Sequence, residues 1–124
     1  MSLVPDELLY TKDHEWARLE NGTATVGITD HAQRELGDIV FVELPKVGAR
    51  LKAGETFGTI EAVKTVAELY APMAGVVTAV NSDLATDAGI VNQDPYGKGW
   101  ILKVAAERSN DDELMNAEAY RKLI

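Results

Sequence analysis

Few side chains in this chain of 124 residues have the type and setting to do chemistry, and the most pointed is a lysine. Between Gly58 and Gly75 the sequence reads Gly-Thr-Ile-Glu-Ala-Val-Lys-Thr-Val-Ala-Glu-Leu-Tyr-Ala-Pro-Met-Ala-Gly, with Lys64 near the middle. β-Branched runs on both sides predict a hairpin with Lys64 at or beside its tip. Tight hairpin turns draw on Asn-Gly, Asp-Gly or Gly-X because their residues need positive φ. Ala62-Val63-Lys64-Thr65 supplies none of these, so the surrounding fold must hold the turn. An exposed lysine is ordinarily a solvated charge, and only its context lifts this one above that.

The other candidate groups are sparse. Glu61 and Glu68 flank the lysine and could pair for acid–base work, but on an exposed hairpin nothing would desolvate them or separate their pKa values. The chain has no cysteine, which excludes disulfides, thiolate nucleophiles and sulfur metal ligands. Any thiol chemistry must arrive on an attached group. His14 and His31 fall in different expected elements, and two histidines are a thin basis for a metal site. No Gly-x-Ser-x-Gly and no phosphate-binding loop occurs. No catalytic grouping and no metal site is expected, which leaves an autonomous enzyme as the weaker reading. An unmodified β-sandwich interaction module remains an alternative.

Composition narrows the partners. A formal net charge of −8 repels phosphate backbones and argues against nucleic acid, while suiting encounters with basic protein surfaces. No apolar run approaches the ~18 residues of a membrane span. Met-Ser-Leu-Val-Pro-Asp-Glu lacks the basic start and apolar middle of a signal peptide. An intracellular protein away from membranes is expected.

The elements around the lysine can be placed in order. Residues 1–9 read as a loosely held lead-in. Asn21-Gly22 between alternating runs predicts a type I′ hairpin, with Ala24, Val26 and Ile28 on one face. A short helix follows, capped by Asp30 with Gln33 in a capping box and closed by Gly37. Asp38 to Leu44 reads as a buried strand stopped by Pro45. Strands are expected at 56–61, 76–80 and 100–105, with turns at 81–83 and 87–89 and a loop at 94–99. From about Asn110 a C-terminal helix is expected, with Asn110 and Glu113 at its start and Met115, Ala119, Tyr120 and Leu123 on its packed face. Many short strands between Gly- and Pro-rich turns argue for a mainly β fold, a small β-sandwich or flattened barrel with a short internal helix and a C-terminal helix. One domain over 1–124 is expected, with a core at about 10–105 and a helical extension at about 110–124.

Glu61-Ala62-Val63-Lys64, followed by Leu69-Tyr70-Ala71-Pro72 and Gly75, resembles the attachment hairpin of lipoyl and biotinyl carrier domains. Further blocks narrow the likeness: Tyr10 to Trp16, Val26 to Gln33, Leu36 to Pro45 and Asn92 to Trp100. In that order they resemble the H proteins of the glycine cleavage system. Biotin carriers place methionine on both sides of the lysine, where this chain has Val63 and Thr65. Lipoyl domains of 2-oxo acid dehydrogenases read Asp-Lys-Ala and hang on Ala/Pro linkers, and neither feature occurs. Ala62 stands where the family usually has serine, and Thr65-Val66-Ala67 where small residues and serine are common.

The resemblance implies a barrel-sandwich hybrid of the lipoyl-domain kind and a non-catalytic carrier with lipoic acid in amide linkage to Lys64. It implies that the arm takes an aminomethyl group at glycine decarboxylase, a pyridoxal-phosphate enzyme. It further implies that the arm passes the one-carbon unit at a tetrahydrofolate-dependent aminomethyltransferase and is reoxidised by dihydrolipoyl dehydrogenase. A lipoate ligase or lipoyl transferase would install the arm, with Glu61 a candidate for its recognition. His14 and Glu15 could shelter the loaded arm, whereas Trp16 reads as core. A lipoyl-relay role is a minor alternative. The resemblance and the N-terminus fit a bacterial cytoplasm, or a mitochondrial matrix for a processed eukaryotic form.

Overall fold

The computed structural model describes residues 3–107 and 114–124. The chain begins with β1 (Leu9–Tyr10), β2 (Glu15–Glu20) and β3 (Thr23–Ile28), the last two joined through Asn21 and Gly22. Both turn residues have positive φ (51° and 81°), as a type I′ turn demands. Then come α1 (Asp30–Leu36), β4 (Ile39–Glu43), β5 (Arg50–Leu51), β6 (Thr56–Ala62), β7 (Val66–Tyr70) and β8 (Gly75–Val80). Two four-residue helical turns, α2 (Asp83–Thr86) and α3 (Ile90–Gln93), continue from the turns expected at 81–83 and 87–89, where no helix is expected. Strand β9 (Leu102–Ala106) and helix α4 (Ala117–Leu123) complete the order.

The strands form two antiparallel sheets. One runs β1-β2-β3-β9-β8-β5 and the other β4-β6-β7. The sandwich half of the expectation therefore holds, and the sheets do not close into a barrel. Ala24, Val26 and Ile28 share the buried face of β3 and meet Ile60, Leu69, Val77, Leu102 and Val104 in the main core. Each of the Val, Ile and Leu side chains among them contributes roughly 1.5–3 kcal/mol on burial. A second cluster joins Val4, Leu8, Tyr10, Trp16, Ala117 and Tyr120. Trp16 fits there because its cross-strand partner is Gly27, where a Cβ would stand 2.7 Å from the indole.

Four details depart from the sequence reading. The segment before β1 is anchored rather than loose: Val4 and Leu8 are buried, and the Leu3 amide donates to Asp30. The cap of α1 is Thr29, whose hydroxyl accepts from the Ala32 amide. Asp30 instead accepts from Gln33 and Arg34. Strand β4 is only half buried, because a bulge between Ile39 and Phe41 leaves both Val40 and Phe41 exposed. Helix α4 begins after Asn116, whose side chain accepts from the Ala119 amide, and it buries Ala117 and Tyr120 while Ala119 and Leu123 are exposed. Met115 lies in a bridge to Tyr10 ahead of that helix. The proposed start at Asn110 and Glu113 lies outside the described residues.

Candidate attachment site and the cleft beside it

Strands β6 and β7 pair in fixed register, with Ile60 opposite Ala67 and Glu61 opposite Val66. The Ala62 amide closes the loop on the Thr65 carbonyl at 2.8 Å. No residue from Ala62 to Thr65 has positive φ, so the turn is made without the glycine or asparagine that tight turns favour. A neighbouring segment steadies it: the Val63 amide donates to the Asp38 carbonyl at 3.0 Å. Lys64 is exposed at the tip, and its ammonium has no ion pair or hydrogen bond among the described residues.

Helix α1 ends beneath the lysine. Gly37 caps it at φ 78°, a conformation that favours glycine, and a Cβ there would stand 3.4 Å from Lys64 Cε. Asn92 fastens this corner, donating to the Gln33 side chain and the Gly37 carbonyl (3.0 and 2.8 Å) and accepting from the Ile39 amide (2.9 Å).

Between α1 and the inner face of β7 lies a cleft of about 170 Å³. Ile28, Ala32, Leu36, Ala67 and Leu69 give it an apolar floor, and Asp13, His14, Glu15, Glu35 and Glu68 supply polar walls. His14 is held with φ 71°, unusual for a residue with a side chain. Its amide donates to the Thr11 carbonyl (3.1 Å), its carbonyl accepts from the Thr29 amide (3.0 Å), and Nδ1 meets the Tyr120 hydroxyl at 2.8 Å. Burial, and then the neighbouring His31 ring, hold the His14 pKa below its ordinary value. The two rings lie 4.7 Å apart, so residues distant in sequence meet here. Among the described residues, no group of three potential ligands could hold a metal ion.

Glu15 is only 2% exposed. Burial pushes its carboxyl up to about 8, and hydrogen bonds from the Thr11 hydroxyl (2.7 Å) and the Tyr70 amide (3.2 Å) offset only part of that. At neutral pH it is mostly a protonated acid. The same residue helps wall a second hollow of about 450 Å³, bounded by Thr11, Lys12, Tyr70, Pro72 and Met115 at the opposite end of β7 from the lysine.

Glu61 is placed elsewhere. Strand alternation buries Ile60 and Ala62 and turns Glu61 to the outer face, between Phe41 on β4 and Val66 on β7. His14 and Glu15 thus share the cleft, Lys64 stands by Gly37, the residue after the cleft's Leu36, and Glu61 faces away from it. Sequence reasoning passed over His31, Tyr120, Asn92 and the Gly37–Lys64 contact as parts of the site. Only the glycine carried a local signal, as a helix stop.

The glycine cleavage H-protein family model matches residues 8–124. The chain belongs to that family. It is 55% identical to the glycine cleavage system H protein of Rubrobacter xylanophilus, over 98% of this chain and 95% of that one. It is 59% identical to the protein of the same name from Chlorobium limicola, over 98% and 97%. The crystal structure of a glycine cleavage system H protein from Mycobacterium marinum superposes with a TM-score of 0.91 at 39% identity, covering 96% of this chain and 97% of the other. Family membership places the chain as the carrier subunit of a multienzyme system rather than an enzyme in its own right.

Proposed function

We propose that Lys64 is the covalent attachment point for lipoic acid and that the domain, residues 1–124, presents the resulting arm to the enzymes of the glycine cleavage system. The supporting observation is an exposed lysine whose ammonium is unpaired among the described residues, held in fixed register beside a cleft of mixed apolar and polar lining. The residues fit the group. The turn leaves the ε-amine open to a modifying enzyme, and the apolar floor suits a hydrocarbon arm. The bound dithiolane would supply reversible disulfide chemistry, carrying an aminomethyl unit from glycine decarboxylase to aminomethyltransferase before reoxidation by dihydrolipoyl dehydrogenase.

This chain's own residues do the rest. Fixed register keeps Lys64 at the tip, since a one-residue slip would send every side chain to the opposite face. Leu36 and Leu69 exclude water along the floor. Glu15 can offer a hydrogen bond without a full charge, and His14, pinned by Tyr120, keeps the adjoining wall in place. The absence of cysteine leaves no protein thiol to exchange with the arm. The setting that fits is a bacterial cytoplasm, and no helix among the described residues is long and apolar enough to cross a membrane.

Intact mass after incubation with lipoate ligase, ATP and lipoate tests the attachment. The wild type should gain one lipoyl group and Lys64→Arg none. An unmodified wild type, or an adduct that survives in Lys64→Arg, would sink it. Glu61→Ala should be lipoylated more slowly, and a normal rate would remove Glu61 from ligase recognition.

A further inference from the structure

The lysine turn has no residue at positive φ to set it locally, so its direction must come from outside. The ladder beside it runs out early. Ile39 opposite Ala62 is the last paired position of β4 and β6, and a bulge between Ile39 and Phe41 interrupts the pairing just behind it. Beyond that pairing the amide of Val63, the residue before the lysine, donates to the Asp38 carbonyl at 3.0 Å. The peptide unit that carries this carbonyl also carries the Ile39 amide, which donates the other way, to Asn92 Oδ1 at 2.9 Å. A peptide unit is planar and rigid. Whatever holds its N–H therefore aims its C=O, and here Asn92 aims the Asp38 carbonyl at Val63.

We infer that Asn92 is a positioning residue for Lys64, acting through the Asp38–Ile39 peptide unit on the backbone at the tip, which presupposes Lys64 as the attachment point. A carboxamide sets a donor and an acceptor side by side, and Asn92 uses them as the edge of a strand would. Its Nδ2 donates to the Gly37 carbonyl at 2.8 Å while Oδ1 takes the Ile39 amide. A carbonyl on one side and an N–H on the other settle which way the carboxamide faces. The second Nδ2 bond, to Gln33 Oε1 at 3.0 Å, ties it to α1, where Gln33 in turn donates to Asp30 at 2.7 Å. In such a chain each bond polarises the next. A Cβ on Gly37 would stand 3.4 Å from Lys64 Cε, so the lysine stem and the residue before it both rest on the stretch that Asn92 holds. An enzyme that modifies Nζ finds the lysine by its place, and a tip free to tilt is a poorer substrate.

The test pairs lipoylation kinetics of full-length variants with hydrogen exchange of the Val63 amide, using thermal melts to confirm folding. Asn81→Ala is the matched control. The Asn81 carboxamide also donates twice, to the Lys98 and Trp100 carbonyls (2.8 and 2.7 Å), and accepts from the Asp83 amide at 3.2 Å. None of those partners belongs to the hairpin or to residues 37–39. Asn92→Ala should lower kcat/KM for a lipoate ligase about tenfold and speed Val63 exchange about tenfold, while Asn81→Ala changes neither. Asn92→Asp keeps an oxygen for the Ile39 amide and loses both donated bonds, so it should lose stability yet keep most of the lipoylation rate. With a lipoylated wild type, four results would overturn the link alone: wild-type kinetics in Asn92→Ala, unchanged Val63 exchange there, an equal loss in Asn81→Ala, or Asn92→Asp as slow as Asn92→Ala. An unmodified wild type would overturn both the link and the attachment reading.

Discussion

Glu15 is where the chain departs furthest from ordinary carboxylate behaviour. Its pKa rises from an ordinary 4.5 to about 8 because burial penalises the charge more than two donors repay it. Between those values the folded chain keeps a proton that the unfolded chain has released, so stability is greatest below pH 4.5 as far as this group goes and is lost as pH climbs through 8. Glu15→Gln should flatten that decline, with a gain at pH 8 relative to pH 5 on the order of a few kcal/mol in urea unfolding. An unaltered pH slope would show that Glu15 ionises normally. His14 runs the opposite way. Its lowered pKa means that stability is lost as pH falls through the folded value, and its ring protons should titrate below those of a solvated imidazole in NMR.

At the scale of elements, the corner of α1, β4 and the lysine hairpin was partly legible. Gly37 declared itself because a helix stop at positive φ favours a residue without Cβ, and Asn21-Gly22 because a type I′ turn needs positive φ at both central positions. What no local pattern could give was the partner. The bulge in β4 depends on its pairing with β6, and the cap at Thr29 rather than Asp30 depends on Asp30 being claimed by Leu3 and Arg34. Gly37→Ala should cost about 1–2 kcal/mol in urea unfolding from the positive φ, while its Cβ would meet the lysine stem only in ordinary van der Waals contact. Asn92→Ala should cost about 1–3 kcal/mol, since three hydrogen bonds at this corner disappear together.

At the scale of the whole molecule, two apolar clusters share the work, and the second was legible only in part. Alternation along β3 and the apolar strands announced the main core. The second depends on α4 folding back so that Tyr120 stacks on Tyr10 with ring centroids 4.6 Å apart. Helical periodicity put Tyr120 on a packed face, but it also put Leu123 and Ala119 there, which the short helix leaves exposed. Removing the Tyr120 hydroxyl keeps the stacking and deletes its contacts with Thr29 and His14, both 2.8 Å. Tyr120→Phe should therefore cost about 1–2 kcal/mol in urea unfolding with an unchanged m-value.

That single hydroxyl has a consequence for the order in which the molecule is built. Translation delivers α1 and the β6–β7 hairpin well before Tyr120, yet Tyr120 braces both the cap of α1 and the His14 wall. On the ribosome, the strands around Lys64 can emerge and pair while the cleft beside them still lacks its brace. The lysine hairpin and the cleft beside it are thus completed by different stretches of the chain, at different moments of synthesis.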